Sequence, residues 1–422
     1  MKRIAIIGTG IAGLGCAHFL HRRFDLTLYE KNDYVGGHTN TVSVAEENRS
    51  VPIDTGFMVF NEVTYPNLLR LFRELGVAIK PTNMSFSVQH LPTNLEFCGT
   101  SLNHIFGQRR NLFRPRFWNM ILQINRFNNE AMEALTAPQF QNLTLGEYVR
   151  ARRYGHDFLN FYLVPMSSAV WSTPPELMLE FPAVALLRFF HNHGFLGLHT
   201  QHPWLTVVSG AKSYVEKITA PFREKIQLRR GATSVRREGN RVKVTDVSGH
   251  TETFDYVIFA SHADETLKLL ADADEKECAL LGQFKYQPNS ALLHTDASVM
   301  PKTKLCWSSW NYRIDRAADG KTSPSTIYWM NRLQGVSDRQ NYFVSINGEN
   351  SVNPNTVIKR IQYEHPLFSL GAITAQRELP KLNERMSNVF FCGSYFRFGF
   401  HEDAFTSALE LCRVLTSERL MA

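Results

Sequence analysis

The chain has 422 residues, 44% of them hydrophobic and 20% charged, which suits a globular protein with ample core and room for two domains. Its formal net charge of +7, from 46 Lys+Arg against 39 Asp+Glu, is too mild to single out nucleic acid, though it favours anionic ligands or surfaces. No run approaches the ~18 uninterrupted apolar residues of a membrane span. The six cysteines are scattered without a CxxC pair, which points to free thiols in a reducing, cytoplasmic setting and not to disulfides or zinc.

The most informative stretch comes first. Residues 3–7 are an isoleucine-rich run of the kind that fills a buried parallel strand. It ends in Gly8-Thr9-Gly10-Ile11-Ala12-Gly13, helix-compatible residues follow at 14–21, and a second apolar run at 26–29 closes on Glu30. A strand, a Gly-rich turn, a helix and a strand ending in an acid together spell a dinucleotide site. Gly8 permits the tight turn, Gly10 lets the backbone approach a pyrophosphate, and Gly13 lets helix and strand pack closely. The helix start at Ile11 and Ala12 offers N–H groups to the diphosphate, and Glu30 can accept from ribose hydroxyls. Lys2-Arg3 before apolar residues imitates a secretory signal, but three phased glycines have no place in one.

Further along, 51–54 reads as a strand and 65–75 as a helix stopped by Gly76, while 86–88 and 95–98 read as a hairpin. Helices are expected at 116–135 and 145–164. An apolar run at 204–208 precedes a helix at 211–222, and short strands follow at 226–228, 233–237, 242–246, 251–254 and 256–260. A helix is expected at 264–270, strands at 291–294, 305–310, 326–330 and 342–346, and a helix at 355–363. Val389 to Gly393 has a buried-strand pattern, and a last helix opens at Glu402-Asp403-Ala404. His191 and His193 lack an acidic partner pattern, so no metal site is read.

The residues after Glu30, namely Lys31-Asn32-Asp33-Tyr34-Val35-Gly36-Gly37-His38-Thr39, resemble the extended fingerprint of a flavoprotein superfamily. It contains flavin amine oxidases, protoporphyrinogen oxidase and phytoene desaturases. The resemblance implies non-covalent FAD, with Lys31, Gly36, Gly37, His38 and Thr39 along its pyrophosphate side; His38 stands where an arginine is usual, and Thr41 matches the family's threonine. It places Gly56, Phe57 and Met58 beside the isoalloxazine ring, the Val235 backbone at the adenine, and Ala260 at a strand end under the cofactor. Gly393 would meet the diphosphate–ribityl chain, with Glu402, Asp403 and Ala404 at a helix N-terminus aimed at the flavin, where reduced-flavin charge is stabilised. Ser394 replaces the family's usual acid, and capping the last helix is the plain alternative for Glu402 and Asp403.

The fold class expected is α/β: a Rossmann-like FAD-binding domain with a parallel sheet, plus a discontinuous substrate domain of mixed sheet and helices. The expected division is 1–70, 205–270 and 376–422 for FAD, with 71–204 and 271–375 for substrate.

Several segments, including DTGFMVFNEVTYPNL, LVPMSSAVWSTP and FCGSYFRFGFHEDA, are similar to a narrower group of bacterial amine-oxidase-like flavoproteins. That group is similar to the N-terminal domain of plant cyclopropane fatty acid synthases and to the furan fatty acid flavin desaturase. The implied reaction is oxidation of a methyl-branched or cyclopropanated fatty acyl chain, carried on a phospholipid, by hydride transfer to flavin. A flavin amine oxidase, and a flavin-bearing partner of a lipid methyltransferase, stay open beside it. The amine oxidases usually place a lysine near flavin N5; Asn289-Ser290-Ala291 lacks one, and Lys285 is out of register. His401, Glu402 and Tyr395 are the candidate catalytic side chains, and Phe57, Met58, Phe60, Met166, Trp171 and Phe400 the expected apolar walls. Residues 106–118 interleave Arg109, Arg110, Arg114 and Arg116 with Phe113, Phe117 and Trp118; peripheral contact with the inner membrane face and an ordinary solvated helix face are the two readings.

Overall fold

An apolar run with no alternation makes a strand when both faces are covered, and β1 (Arg3–Ile7) buries Ile4, Ala5 and Ile6 completely. The computed structural model describes residues 1–197, 200–316, 322–384 and 388–416. In it, β1 lies at the centre of a five-stranded parallel sheet with β2 (Asp25–Tyr29), β3 (Tyr256–Phe259) and β4 (Val389–Phe391). The order is Ile226–Gln227, β2, β1, β3, β4. Ile7 pairs with both Tyr29 and Phe259, and Phe259 with Phe391, so the carboxyl ends of the four longer strands finish in one row.

Helix α1 (Ile11–Leu20) follows β1; α2 (Pro66–Glu74), α3 (Pro115–Ala134) and α4 (His401–Thr416) come later. α1 and α4 bury Leu14, Ala17, Phe405, Ala408 and Cys412 in one cluster, which ties the chain's two ends together. A second, mixed sheet has seven strands, ordered Val357–Leu367, Lys285–His294, Phe343–Ile346, Thr322–Trp329, Trp310–Arg316, Phe86–His90, Leu95–Cys98. Its neighbours are antiparallel except Trp310–Arg316 and Phe86–His90. The α/β class with one parallel and one mixed sheet is as expected.

Three expectations fail. The helix at 355–363 is instead part of the strand Val357–Leu367, which pairs along nearly all of Lys285–His294. Val357 and Ile361 imitate helical spacing, but β-branched residues with a long pairing partner settle as strand. The helix at 145–164 breaks after Ala151, where Arg153 takes φ +54° and Gly155 restarts the chain. The strand at 305–310 is a short turn, and β-structure begins at Trp310; the Asn311 side chain accepts from Ser308 N–H (2.9 Å) and folds 308–311 back on itself.

Candidate active site

In a parallel sheet the crevice beyond the strands' carboxyl ends is where a ligand finds free backbone groups. Here Gly8 follows β1, Glu30 follows β2, Ala260 follows β3 and Gly393 lies just past β4, and all four line one cavity of about 1000 Å³. That is the upper end of the ~300–1,000 Å³ usual for small-molecule sites.

The Gly-rich turn is shaped for close approach. Gly8 has φ +103°, and a Cβ there would stand 2.9 Å from Ala260 O, so only glycine fits. A Cβ on Gly13 would stand 2.0 Å from Gly8 O; Gly13 packs helix against turn and does not line the cavity. At Gly10 a Cβ would meet no protein atom within 4 Å, and Gly10, Ile11 and Ala12 line the cavity. No side chain caps α1, so its first N–H groups are free for an anion. Gly36 N–H donates to Thr9 O (3.1 Å), which folds Gly36 and Gly37 onto the same turn. This cradle fits a dinucleotide diphosphate.

Glu30 lines the cavity with its carboxylate well supplied. It accepts from Thr9 N–H (3.1 Å) and hydroxyl, and from Asn32 N–H (2.8 Å) and side-chain amide (2.9 Å). A ribose hydroxyl would share these oxygens. Lys31 pairs with Glu265 (2.5 Å), and His262 with Glu364 (3.5 Å). His262, Glu265 and Glu364 hold three ligand atoms within 4.8 Å of one another, a cluster the sequence did not bring together, and the Lys31 ammonium already occupies the Glu265 carboxylate.

His38 also lines the cavity, stacked on Tyr363 (5.0 Å between centroids) and beside His365. Burial and neighbouring imidazoles hold it well below the usual histidine range, so it is neutral and cannot supply the charge of an arginine. Its buried Nε2 has no partner within the protein. Gly56 is pressed onto the His38 carbonyl, which accepts from Phe57 N–H (2.8 Å). Phe57 and Met58 line the cavity, and the Phe57 ring lies on the His401 imidazole at 3.8 Å and 11°.

His401 opens α4 and lines the cavity. Its Nε2 meets the Thr39 hydroxyl (2.8 Å) and the Tyr214 hydroxyl (3.3 Å), and burial pushes its pKa down to about 3. Thr39 therefore positions His401 and does not line the cavity itself. Tyr395 lines the cavity beside Gly393; its buried hydroxyl has no partner, and burial raises its pKa. Ala404 also lines the cavity, but its neighbours Glu402 and Asp403 do not. The Glu402 carboxylate turns away and accepts from Asn67 N–H (3.0 Å) and Leu68 N–H (2.9 Å). α2 has Tyr65 at its cap position with no capping side chain, and Glu402 supplies the missing acceptor from the far end of the chain. This corrects its placement among catalytic groups. Asp403 accepts from Phe400 N–H (3.0 Å) at the start of its own helix, and burial raises its pKa to about 7. Val235 is a wholly buried core residue and does not line the cavity; Gly231 and Ala232, on the other side of a register shift between Ala232 and Ser234, do.

Away from the strand ends the cavity becomes aromatic. Trp171 packs on Phe189 (4.7 Å), Phe189 stacks on Phe400 (4.9 Å) and His193 (3.8 Å), and Trp204, Phe195, Trp310, Tyr328 and Met84 complete the walls. Burial holds His193 neutral, with a pKa of about 4. Phe60 and Met166, expected here, are core residues behind the wall. The three carboxylates lining the cavity, Glu30, Glu265 and Glu364, gather with Lys31 at the strand-end side. Lys285 is exposed at a strand end, outside the cavity.

A profile of the family described as flavin containing amine oxidoreductase matches residues 11–326. A 76-residue stretch, 18% of this chain and 15% of the relative's length, is 37% identical to 15-cis-phytoene desaturase of Synechococcus elongatus. Among solved structures, cyclohexylamine oxidase from Brevibacterium oxydans aligns at a TM-score of 0.69 and 13% identity, over 98% of this chain and 99% of that one. A CLA-producing fatty acid isomerase from P. acnes aligns at 0.67 and 14% identity, over 99% and 98%. At such identities the structural likeness speaks for the fold alone.

Proposed function

The chain belongs to the flavin containing amine oxidoreductase family and is a flavin-dependent oxidoreductase; on that premise we propose that its flavin is FAD, held without a covalent bond, and that its substrate is a fatty acyl chain. The methyl-branched or cyclopropanated chains implied by the narrower resemblance are the preferred substrates. The observation that carries this reading is the aromatic end of the cavity, walled by Trp171, Phe189, Phe400 and Trp204, with every lining carboxylate at the opposite, strand-end side. An acyl chain gains from such a wall through burial alone, whereas an ammonium also wants a nearby acid. The 37% identity to a phytoene desaturase over 76 residues supports an apolar chain.

The turn at 8–13, Gly36, Gly37 and Gly393 would hold the diphosphate and ribityl parts, with Glu30 on the ribose and Phe57, Met58, Ala260 and Ala404 around the ring. When bound, FAD supplies a hydride acceptor. The protein's own part is to exclude water around the reacting carbon and to keep His401 neutral and fixed. Links of 2.8 and 2.5 Å run from His401 Nε2 to Thr39 Oγ1 and on to the Tyr214 hydroxyl, and they fix the imidazole in place.

Aromatic walls can also cradle a cation, and cyclohexylamine and putrescine oxidases share the fold, so an amine oxidase is the second reading. No lysine lines the aromatic end, which weighs against it. The deciding experiment incubates the FAD-loaded protein with phospholipids bearing branched or cyclopropane chains and an electron acceptor, and follows lipid mass. Loss of two hydrogens is expected. Inert lipids together with turnover of an amine would replace this reading with the second. Inert lipids and amines, with turnover only beside a lipid methyltransferase, would make the chain a partner subunit.

A further inference from the structure

We propose that the surface formed by residues 102–122 docks on an anionic phospholipid bilayer. Leu102, Leu112, Phe113, Trp118 and Leu122 are exposed by 75, 41, 86, 44 and 65%, a concentration of large apolar side chains unusual for a surface bathed only in water. The apolar patch is ordered. The Trp118 Nε1–H donates to Leu112 O (2.9 Å), the Trp118 ring packs on Phe106 (4.9 Å), and Leu122 follows one turn along α3. The inner face of α3 is a separate stripe, with Phe117, Met120 and Phe127 buried, so the outer stripe is not needed to hold the helix.

The charge around the patch selects the occupant. No aspartate or glutamate occurs from Phe97 to Asn129, while Arg109, Arg110, Arg114, Arg116 and Arg126 all do. Arg109 donates to Phe106 O (3.0 Å) and the Asn103 side chain, Arg110 to Asn94 O, and Arg114 to the Asn111 side chain. These partners are neutral, so three full positive charges remain uncompensated at this surface; Arg116 is paired with Asp157 (2.6 Å), and Arg126, further along α3, with Glu130 (2.8 Å). Apolar side chains ringed by uncompensated arginines match the interface of an anionic bilayer, where guanidinium groups meet phosphate and rings enter the acyl boundary. A protein partner of mixed charge would leave the arginines unmatched. The patch also connects inward: Phe106 and Phe117 belong to a cluster that includes Phe86, and Phe86 packs on the cavity residue Trp310 (5.4 Å). The proposal goes beyond the substrate reading and stands or falls without it, since docking is measured without turnover.

The test is co-sedimentation of the FAD-loaded protein with vesicles of phosphatidylcholine alone and of phosphatidylcholine with phosphatidylglycerol. Binding is expected only to the anionic vesicles and is expected to fade as salt shortens the screening length. Replacing Arg109, Arg110 and Arg114 together by glutamine is expected to weaken binding on the order of 100-fold. Because those arginines also bond to backbone carbonyls, F113E is the companion variant; Phe113 is almost free of protein contact, so its loss of binding reports the surface and not the fold. Equal binding to neutral and anionic vesicles, no binding to either, or wild-type binding by F113E overturns the proposal.

Discussion

Replacing Glu402 with alanine separates the cap described above from the catalytic role that its place beside His401 suggests. The Glu402 carboxylate accepts from two backbone N–H groups of α2 and from the Asn67 side-chain amide (2.9 Å). Pro66 removes one of the other N–H groups of the first turn, so these are the donors α2 has left to satisfy. Losing an N-cap acceptor costs about 1 kcal/mol, and leaving a buried donor unpaired about 1–3 kcal/mol. Burial raises the pKa of Glu402, so removing the charge returns part of that cost. The net expectation is a loss of about 2–3 kcal/mol. A melting entropy of ~2.1 cal/mol/K per residue over 422 residues converts this to a fall of about 2–3 °C. Urea unfolding of the flavin-loaded protein measures it, alongside the rate of flavin reduction by substrate. Glu402→Gln, which keeps an acceptor oxygen, is expected to lose about half as much stability. Unchanged stability with reduction slowed ~100-fold or more would return Glu402 to the chemistry and refute the argument.

Gly10→Val is expected to fold, because a Cβ at this position meets no protein atom within 4 Å, and to lose FAD because the side chain enters the cavity; wild-type flavin content in the variant would remove the diphosphate from this turn. No cysteine lines the cavity among the described residues, so acid precipitation is expected to release all the flavin, and flavin retained on the polypeptide would contradict non-covalent binding. Asp403, with a pKa of about 7 in the fold against ~3.9 unfolded, binds more protons folded than unfolded between those values, so its contribution to stability falls as pH rises from about 4 to 7. Buried neutral histidines such as His401 act in the opposite direction, so the readout is wild type minus Asp403→Asn in urea midpoints at pH 5 and 7.5; no pH dependence in that difference would refute the burial of an uncharged acid.

What the sequence revealed was local. The run from Arg3 to Glu30 carries its own strand, turn, helix and acid, and their meaning depends only on each other. The same holds for Gly393 after a buried strand. What stayed hidden was assembled from distant parts. Residues 362–366 form one cavity wall, but their strand is defined by pairing with Lys285–His294 and imitates a helix when read alone. Glu402 reads as a flavin-edge acid until α2 is laid against it. Phe189, His193, Phe195 and Trp204 carry no motif; an apolar helix followed by an aromatic strand gives no sign that the two enclose a cavity. The three cavity carboxylates come from Glu30, Glu265 and Glu364, and only the fold shows that none faces the aromatic end.

The central claim, that the aromatic end receives an uncharged acyl chain, is tested most directly by anaerobic stopped-flow mixing of the FAD-loaded protein. One series uses phospholipids with branched or cyclopropane acyl chains, and the other uses putrescine, cyclohexylamine and an aromatic amine. Bleaching of the oxidised flavin band by the lipids and not by the amines is the predicted result. Bleaching by an amine, with every lipid inert, would contradict it.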